Sequence, residues 1–301
     1  MTETDSFTYK DSDKVFTAAV ASDYLIAGND EHGVNPPTPG KRTPILPYLN
    51  FPFYENEFNA GAKYYFLAAC KRTGFRTFDV KPGQQDMPIN ERVTRINNAK
   101  PDAVITYAYN AYGDGQSFNS VSGVECIYSN SNAYADKSLR LANAFYRHLM
   151  TGTPQRGRGV YVSNGIGVLV NVRAPSALAE CGFMTNFVEP KYMLDPDFQL
   201  ECGEAGCAAV SEFFGVPYKQ AYPNHNRPTV RQGSRGDDVR YLQMKLVTKL
   251  YPLGTIDGIF GARTDTAVRQ FQRENGLVVD GIVGKNTWAK LYPIGGGRFI
   301  T

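Results

Sequence analysis

No stretch of the chain approaches the roughly 18 continuous apolar residues that a membrane helix requires. Insertion into a bilayer through a helix is therefore excluded from the expectations. The opening MTETDSFTYKDSDK carries acidic residues where a signal peptide has a basic and then an apolar run, so cytoplasmic synthesis without a classical signal is expected. Cysteine is sparse, at five in 301 residues. Cys70, Cys126, Cys181, Cys202 and Cys207 are widely spaced, odd in number and set in apolar contexts such as LAACKR and GVECIY, which predicts buried free thiols rather than a disulfide framework. Charge of one sign is also lacking. A net charge of +3 falls far short of a nucleic-acid surface, so no nucleic-acid partner is expected, although the slight positive balance suits an anionic polymer such as a cell wall. Tryptophan occurs once and histidine three times, as His32, His148 and His225. Nothing in the composition demands an oligomer, and a monomer is expected.

What is present is globular: 42% hydrophobic and 20% charged residues, over a length that suits about two domains. Residues 220–228, rich in Pro and Asn (Pro223, Asn224, Asn226, Pro228), read as a linker. Before it, strand-like runs alternate with helical ones: YLIAG, EFNAGAKYYFLAACKRTG, FRTFDV, INERVTRINNAK, DAVITYAYNA and SGVECIYS. That rhythm predicts an α/β fold over residues 1–219, a mostly parallel sheet with flanking helices. Phe58, Ala62, Tyr65, Phe66 and Ala69 share one helical face, and Gly74 stands where that helix would be capped. SLRLANAFYRHLM reads as another amphipathic helix, GVLVNV and APSALAECG as the last strands, and EAGCAAVSEFFG as a closing helix.

After the linker, Val239, Leu242 and Leu246 recur at helical spacing, as do Ala267 and Phe271, so residues 229–293 read as a small all-helical unit with a tail at 294–301. This unit contains an internal echo: DGIFGARTDTAV from Asp257 and DGIVGKNTWAKL from Asp280 align at a spacing of 23 residues. Each Asp-Gly makes a turn, and Thr264 or Thr287 follows at the start of a helix. With VRQGSRGDDVRYLQMKL in front, the segment resembles the peptidoglycan-binding type 1 domain, a three-helix wall-binding module. The resemblance implies peptidoglycan as partner. It offers Asp257, Thr264, Asp280 and Trp288 as contacts to the polymer, against the alternative that they only cap and pack helices.

In the first 219 residues, EHG with TPGKRTP, YENEFN, the YNA that follows a strand, and ECGFMTN form an ordered set. It resembles the zinc-dependent N-acetylmuramoyl-L-alanine amidases of the amidase type 3 family. Such enzymes hydrolyse the amide between the lactyl group of N-acetylmuramic acid and L-alanine, with Zn2+ held by a His after the first strand, a Glu opening the first long helix, and a second His two residues before the NA pair. His32 and Glu55 match the first two positions. Glu180 matches the glutamate that moves the proton, and Asn110 and Arg173 match residues close to substrate. The third ligand position holds Ala108, which cannot bind a metal. His148 and His225 stand at no ligand position, and Tyr107 and Tyr109 alternate to the opposite face of the strand.

A chain with this gap is expected to be inactive or impaired. Either a histidine has been replaced in an otherwise intact site, or the site has decayed in a wall-binding protein. Retention of His32, Glu55 and Glu180 weighs toward the first. Cys181, beside Glu180, has no partnered histidine in its sequence context and reads as packing rather than a nucleophile. The order of catalytic then binding segments resembles phage endolysins of Gram-positive hosts, with a mother-cell autolysin as the alternative; both act at the bacterial cell wall. A scaffold without wall affinity is disfavoured by the completeness of residues 229–293.

Overall fold

A computed structural model describes residues 19–34, 41–46, 52–221 and 226–292. The start of the chain, residues 38–40 of the TPGKRTP loop, residues 222–225 of the expected linker with His225, and the expected tail lie outside the described residues. The first half runs β1 (Leu25–Asp30), α1 (Glu55–Thr73), β2 (Arg76–Asp79), α2 (Ile89–Ala99), β3 (Ala103–Asn110), β4 (Val124–Tyr128) and α3 (Ala135–Gly152). It continues through β5 (Gly157–Val162), α4 (Gly167–Val170), β6 (Ser176–Phe183), α5 (Pro190–Met193) and α6 (Pro196–Phe214). The strands form one sheet in the order β2-β1-β3-β6-β4-β5, in which every neighbouring pair is parallel except β4 with β6. The mostly parallel α/β reading therefore holds.

Strand alternation sorts the side chains into two layers. Ile105, Tyr107 and Tyr109 of β3 join Phe58, Phe66 and Phe145 beneath α1, α3 and α6. Val104 packs on the other face with Ala27, Val80 and Ile96, where α2 lies. Ala108 sits on that second face too, against Leu169 and Leu178. The predicted face of α1 is buried at Phe58, Ala62, Phe66 and Ala69, and Gly74 closes the helix in the left-handed conformation with its N–H on Cys70 O. All five cysteines are buried free thiols.

Two local expectations are corrected. GVLVNV is not a strand: it contains the short helix α4, whose last carbonyls, of Leu169 and Val170, accept from the Asn132 side-chain amide. Its apolar run is too short for periodicity to separate strand from buried helix. The edge strand β5 was absent from the expectations because GRGVYV, paired with β4 alone, has no buried residue and shows no alternation.

The C-terminal region folds as α7 (Asp237–Thr248), α8 (Ala262–Glu274) and α9 (Lys285–Leu291) around Val239, Leu242, Leu246, Phe271, Trp288 and Leu291. It also docks on the α/β region through a buried charge cluster. Lys245 Nζ, fully buried, lies 2.9 and 3.0 Å from the Asp195 carboxylate oxygens and 3.0 Å from Asp197 Oδ2. Tyr241 donates its hydroxyl to Asp197 Oδ1 at 2.7 Å, and the Arg227 guanidinium covers the Tyr241 ring at 3.4 Å. Asp195 is at the same time the N-cap of α6, accepting from Asp197 N. The cation of one region thus neutralises the helix-capping carboxylate of the other and the first-turn carboxylate beside it.

Removing Lys245 leaves two buried carboxylates facing each other. Lys245→Met is expected to lower the unfolding free energy by about 3–5 kcal/mol, read by urea titration; an unchanged midpoint would sink this account. A second prediction concerns Glu201, whose Oε1 would lie 1.6 Å from a Cβ added at Gly152, the last residue of α3. There it meets the negative end of the α3 dipole. Burial, then the Glu204 charge, pushes its carboxyl from 4.5 up to about 7. The folded protein thus holds a proton that the unfolded chain releases. This contribution to stability is complete below about pH 4.5 and is lost as pH rises through about 7. Glu201→Gln should match the parent at pH 4 and exceed it at pH 8 by about 2 kcal/mol after discounting partial exposure. Equal pH profiles for the two proteins would refute it.

Candidate active site and metal centre

The site is built where β1, β3 and β6 end, at the carboxyl edge of the sheet. β1 finishes on Asp30, whose buried carboxylate lies 2.8 Å from Lys63 Nζ and 2.9 Å from Lys81 Nζ. Arg92 donates to the Asp30 carbonyl, to Asn29 Oδ1 at 3.0 Å and to Asp86 Oδ1 at 2.8 Å. These cations fix the point at which the chain leaves the sheet. Glu31 N still donates to Tyr107 O at 3.1 Å, and His32 then turns into the left-handed region at φ 58°. Strain of that kind costs a non-glycine residue on the order of 1–3 kcal/mol and collects at functional sites. Gly33 follows because no side chain fits: a Cβ there would lie 2.2 Å from Asp86 N.

Glu55 is the first residue of α1, with its N–H on Lys41 O at 2.9 Å. Glu57 accepts from Tyr54 N at 3.1 Å and closes the helix start. The Glu55 carboxylate is 1% exposed. Its Oε1 accepts from Tyr109 N at 3.0 Å and Asn59 Nδ2 at 3.1 Å, whereas Oε2 has no hydrogen-bond partner and points at His32 Nε2, 3.4 Å away. Asn59 also donates to Glu31 O at 3.0 Å, tying the His32 turn to α1. One further carboxylate stands beside the pair: Glu31 Oε2 is 3.9 Å from His32 Nε2. Donor atoms of Glu31, His32 and Glu55 all lie within 4.8 Å of one another.

Glu180 is registered between Ala108 on β3 and Glu125 on β4, and its Oε2 is buried without a partner. Burial raises the Glu180 carboxyl well above its usual range, and the Glu55 and Glu31 charges add to that. Burial likewise raises Glu55 and Glu31 and lowers His32, which favours the neutral imidazole. Asn110, at the end of β3, donates to Glu125 Oε1 at 3.0 Å, and Arg158 holds Glu125 Oε2 at 2.7 Å. The loops beyond β3 and β6 are stitched together by Asn119 N on Thr185 O, Tyr112 N on Thr185 Oγ1, and Asn186 Nδ2 on Val121 O. They expose Tyr112 and Phe187 at the rim.

The structure brings His32, Glu55, Glu180, Asn110 and the Ala108 position to one edge of the sheet. It does not bring Arg173 there. Arg173 lies in the bend before β6, which starts at Ser176, and its backbone N–H is held by Asn97 Oδ1 of α2, at the edge of the sheet where β3 and β6 begin rather than end. This removes Arg173 from the substrate contacts expected from sequence.

In the C-terminal region Thr264 and Trp288 are 2% and 1% exposed, and the Trp288 indole N–H donates to Pro228 O. Burial puts both out of reach of a polymer, which corrects their expected role. The Asp257 and Asp280 turns are exposed, but their carboxylates accept from buried Gln243 and Gln272 at 2.9 Å each. Each glutamine also donates to the carbonyl two residues beyond the Asp, of Ile259 or Ile282, and to Thr264 or Thr287. Capping and packing thus account for these side chains. Glu31, Glu125 and the two glutamines were absent from the expectations. Adjacency to His32 was the only signal for Glu31, and none of the motifs contains the others as ligands or caps.

Zinc chemistry can be tested against this donor set. Two donors about 2.1 Å from a tetrahedral zinc stand about 3.4 Å apart, and an unpartnered buried carboxylate oxygen facing a neutral imidazole at 3.4 Å meets that requirement. The residues present fit a divalent cation.

Comparison with known proteins follows the same division. Residues 33–212, more than half of the chain, match the family model described as N-acetylmuramoyl-L-alanine amidase, and residues 235–291 match that of a peptidoglycan binding domain. The chain is similar to a solved structure of N-acetylmuramoyl-L-alanine amidase from Clostridium difficile 630, with TM-score 0.56 and 23% identity over 66% of this chain and 98% of that one. This likeness concerns the fold. Among curated proteins, it is 46% identical over 67 residues (22% of this chain) to an uncharacterized protein in the bpoA1 3' region of Kitasatospora aureofaciens. It is 44% identical over 85 residues (28% of this chain) to a spore cortex-lytic enzyme of Oceanobacillus iheyensis. It spans 57% and 31% of those two relatives.

The close approach at Gly33 yields a prediction. Gly33→Ala forces a Cβ onto the Asp86 backbone and is expected to cost about 1–3 kcal/mol while displacing His32. Thermal unfolding together with the His32 imidazole resonance would read it, and an unperturbed resonance would contradict it.

Proposed function

The chain belongs to the N-acetylmuramoyl-L-alanine amidase family, and from that premise we propose that its site is built to hydrolyse the amide between the lactyl group of N-acetylmuramic acid and L-alanine in peptidoglycan. The observation that carries the reading is the convergence of His32, the unpartnered Glu55 Oε2 and the unpartnered Glu180 Oε2 at one edge of the sheet. The family match opens at residue 33, so the place of His32 in the site rests on this geometry.

Zn2+, held by His32 and Glu55, would supply a Lewis acid for the amide carbonyl and a water of lowered pKa. The chain's own residues do the rest. Glu55 is kept ionisable by the N–H of Tyr109 and the amide of Asn59, which leave its second oxygen free. Glu180, buried and without a competing hydrogen bond at Oε2, takes the proton of the attacking water and returns it to the leaving amine of L-alanine. Asn110, fixed by Glu125, borders the place of the scissile bond. The C-terminal region binds the wall polymer and raises the effective concentration of scissile bonds around the site.

Ala108 is the weak point of the arrangement. It presents a methyl group beside Glu180 and packs on Leu169 and Leu178, so it adds no donor. We infer that this chain hydrolyses peptidoglycan poorly or not at all. The same observation supports the second reading, a catalytically dead wall-binding protein.

One variant separates the two. Loss of an outer partner of a metal ligand already costs about 10–100-fold in affinity or activity, so restoring a direct ligand in Ala108→His should raise zinc affinity and soluble-product release from purified walls by about 100-fold or more. Product release that stays at background in a variant carrying one zinc would favour the wall-binding protein.

A further inference from the structure

We propose that Glu31 supplies the third donor of a divalent-cation site with His32 and Glu55, in place of the imidazole that Ala108 lacks. In an extended strand, consecutive side chains point to opposite faces, so Glu31 and His32 could not share a ligand. The left-handed turn at His32 breaks that alternation and brings the Glu31 carboxylate within 3.9 Å of His32 Nε2. Three donors from two chain segments then lie within 4.8 Å. They are not a loose acidic cluster. Glu55, 1% exposed, aims an oxygen with no hydrogen-bond partner into the group.

The positions of Glu31 and Glu55 are set by common anchors. Glu31 N donates to Tyr107 O, and Asn59 Nδ2 bridges Glu31 O and Glu55 Oε1. Asn59 therefore occupies the oxygen of Glu55 that faces away from His32 and leaves the other for a cation. Around the centre, Glu31, Glu55 and Glu180 gather three carboxylates against Lys41 and Arg92. Two carboxylates and one imidazole form a harder donor set than one carboxylate and two imidazoles, so Mn2+ and Co2+ should compete with Zn2+ more effectively here than at a site with two histidines.

The assignment shares its site with the amidase reading, and the test separates them because ligation is read without hydrolysis. Co2+ is titrated into the full chain and into Glu31→Gln, Ala108→His and the Ala108→His/Glu31→Gln double variant, following d–d absorption, with Zn2+ competition for affinity. The parent is expected to bind one Co2+. Glu31→Gln should bind at least about 10-fold more weakly, and the double variant should recover binding through the new histidine, which also shows that loss of Glu31 leaves the fold intact. Parent-like binding by Glu31→Gln, no Co2+ bound by the parent, or no recovery in the double variant would each overturn the assignment. Product release by Ala108→His, measured in parallel, decides the amidase reading alone: cobalt ligation through Glu31 without any release would leave this proposal standing and remove that one.

Discussion

The buried carboxylate of Asp30 is the constraint on which the site depends. Taking one carboxylate and two ammonium groups out of water is costly, and attraction offsets that cost only if every partner stays in place. Here the partners come from separate elements. Lys63 lies on α1, Lys81 lies just beyond β2, and Arg92 on α2 holds the Asp30 carbonyl. Lys63 also reaches Asp79 and the Lys81 carbonyl. The end of β1 is thereby clamped by two helices and the segment that follows β2, and the strained residue that follows, His32, has a rigid base to turn from. Lys63 lies on the same helix that Glu55 opens, so the cluster that orders β1 also sets the angle at which Glu55 enters the site.

Much of this was legible because it is periodic. The apolar face of α1, the left-handed Gly74 cap and the alternation along β3 that buries Tyr107 and Tyr109 opposite Ala108 follow from spacing alone. What could not be read depends on partners far apart in sequence. The repeated Asp-Gly turns announce themselves at a spacing of 23 residues, yet their anchors do not repeat at that spacing: Gln243 stands 14 residues before Asp257, and Gln272 only 8 before Asp280. Both glutamines donate to the same three acceptors of their turn, the Asp carboxylate, the Ile carbonyl and the Thr hydroxyl, so the repeat is structural in a way the sequence shows only in half. Trp288 and Thr264 looked like recognition groups because they are conspicuous in the motif; the fold uses them inside. Arg173 was placed near the site by resemblance, and only the direction of β6 shows that it lies at the far edge.

The contact between the two regions changes what tethering means. A flexible linker would let the wall-binding region search around the catalytic one, with an effective concentration set by chain length. Lys245, buried between the N-cap of α6 and the Tyr292 carbonyl, instead fixes α7 on α6 in one orientation. Tyr241 and Arg227 extend the contact toward the connecting segment. The two regions are therefore held at a defined angle by buried charge and hydrogen bonds rather than left to swing about the segment that joins them.

Ala108 suits its surroundings for a reason visible in the packing. A small apolar side chain between Leu169 and Leu178 completes the face of the sheet on which α4 rests, so the residue contributes core contact and no donor. The consequence falls entirely on the polar side. Glu55 Oε2 and Glu180 Oε2 are both buried without partners, a state that costs roughly 1–3 kcal/mol for each group unless something completes them. A cation held by Glu31, His32 and Glu55 would relieve the first of these directly and, by its charge, would stabilise Glu180 beside it. The two unpartnered oxygens thus give the chain a physical reason to bind a metal whatever side chain stands at residue 108.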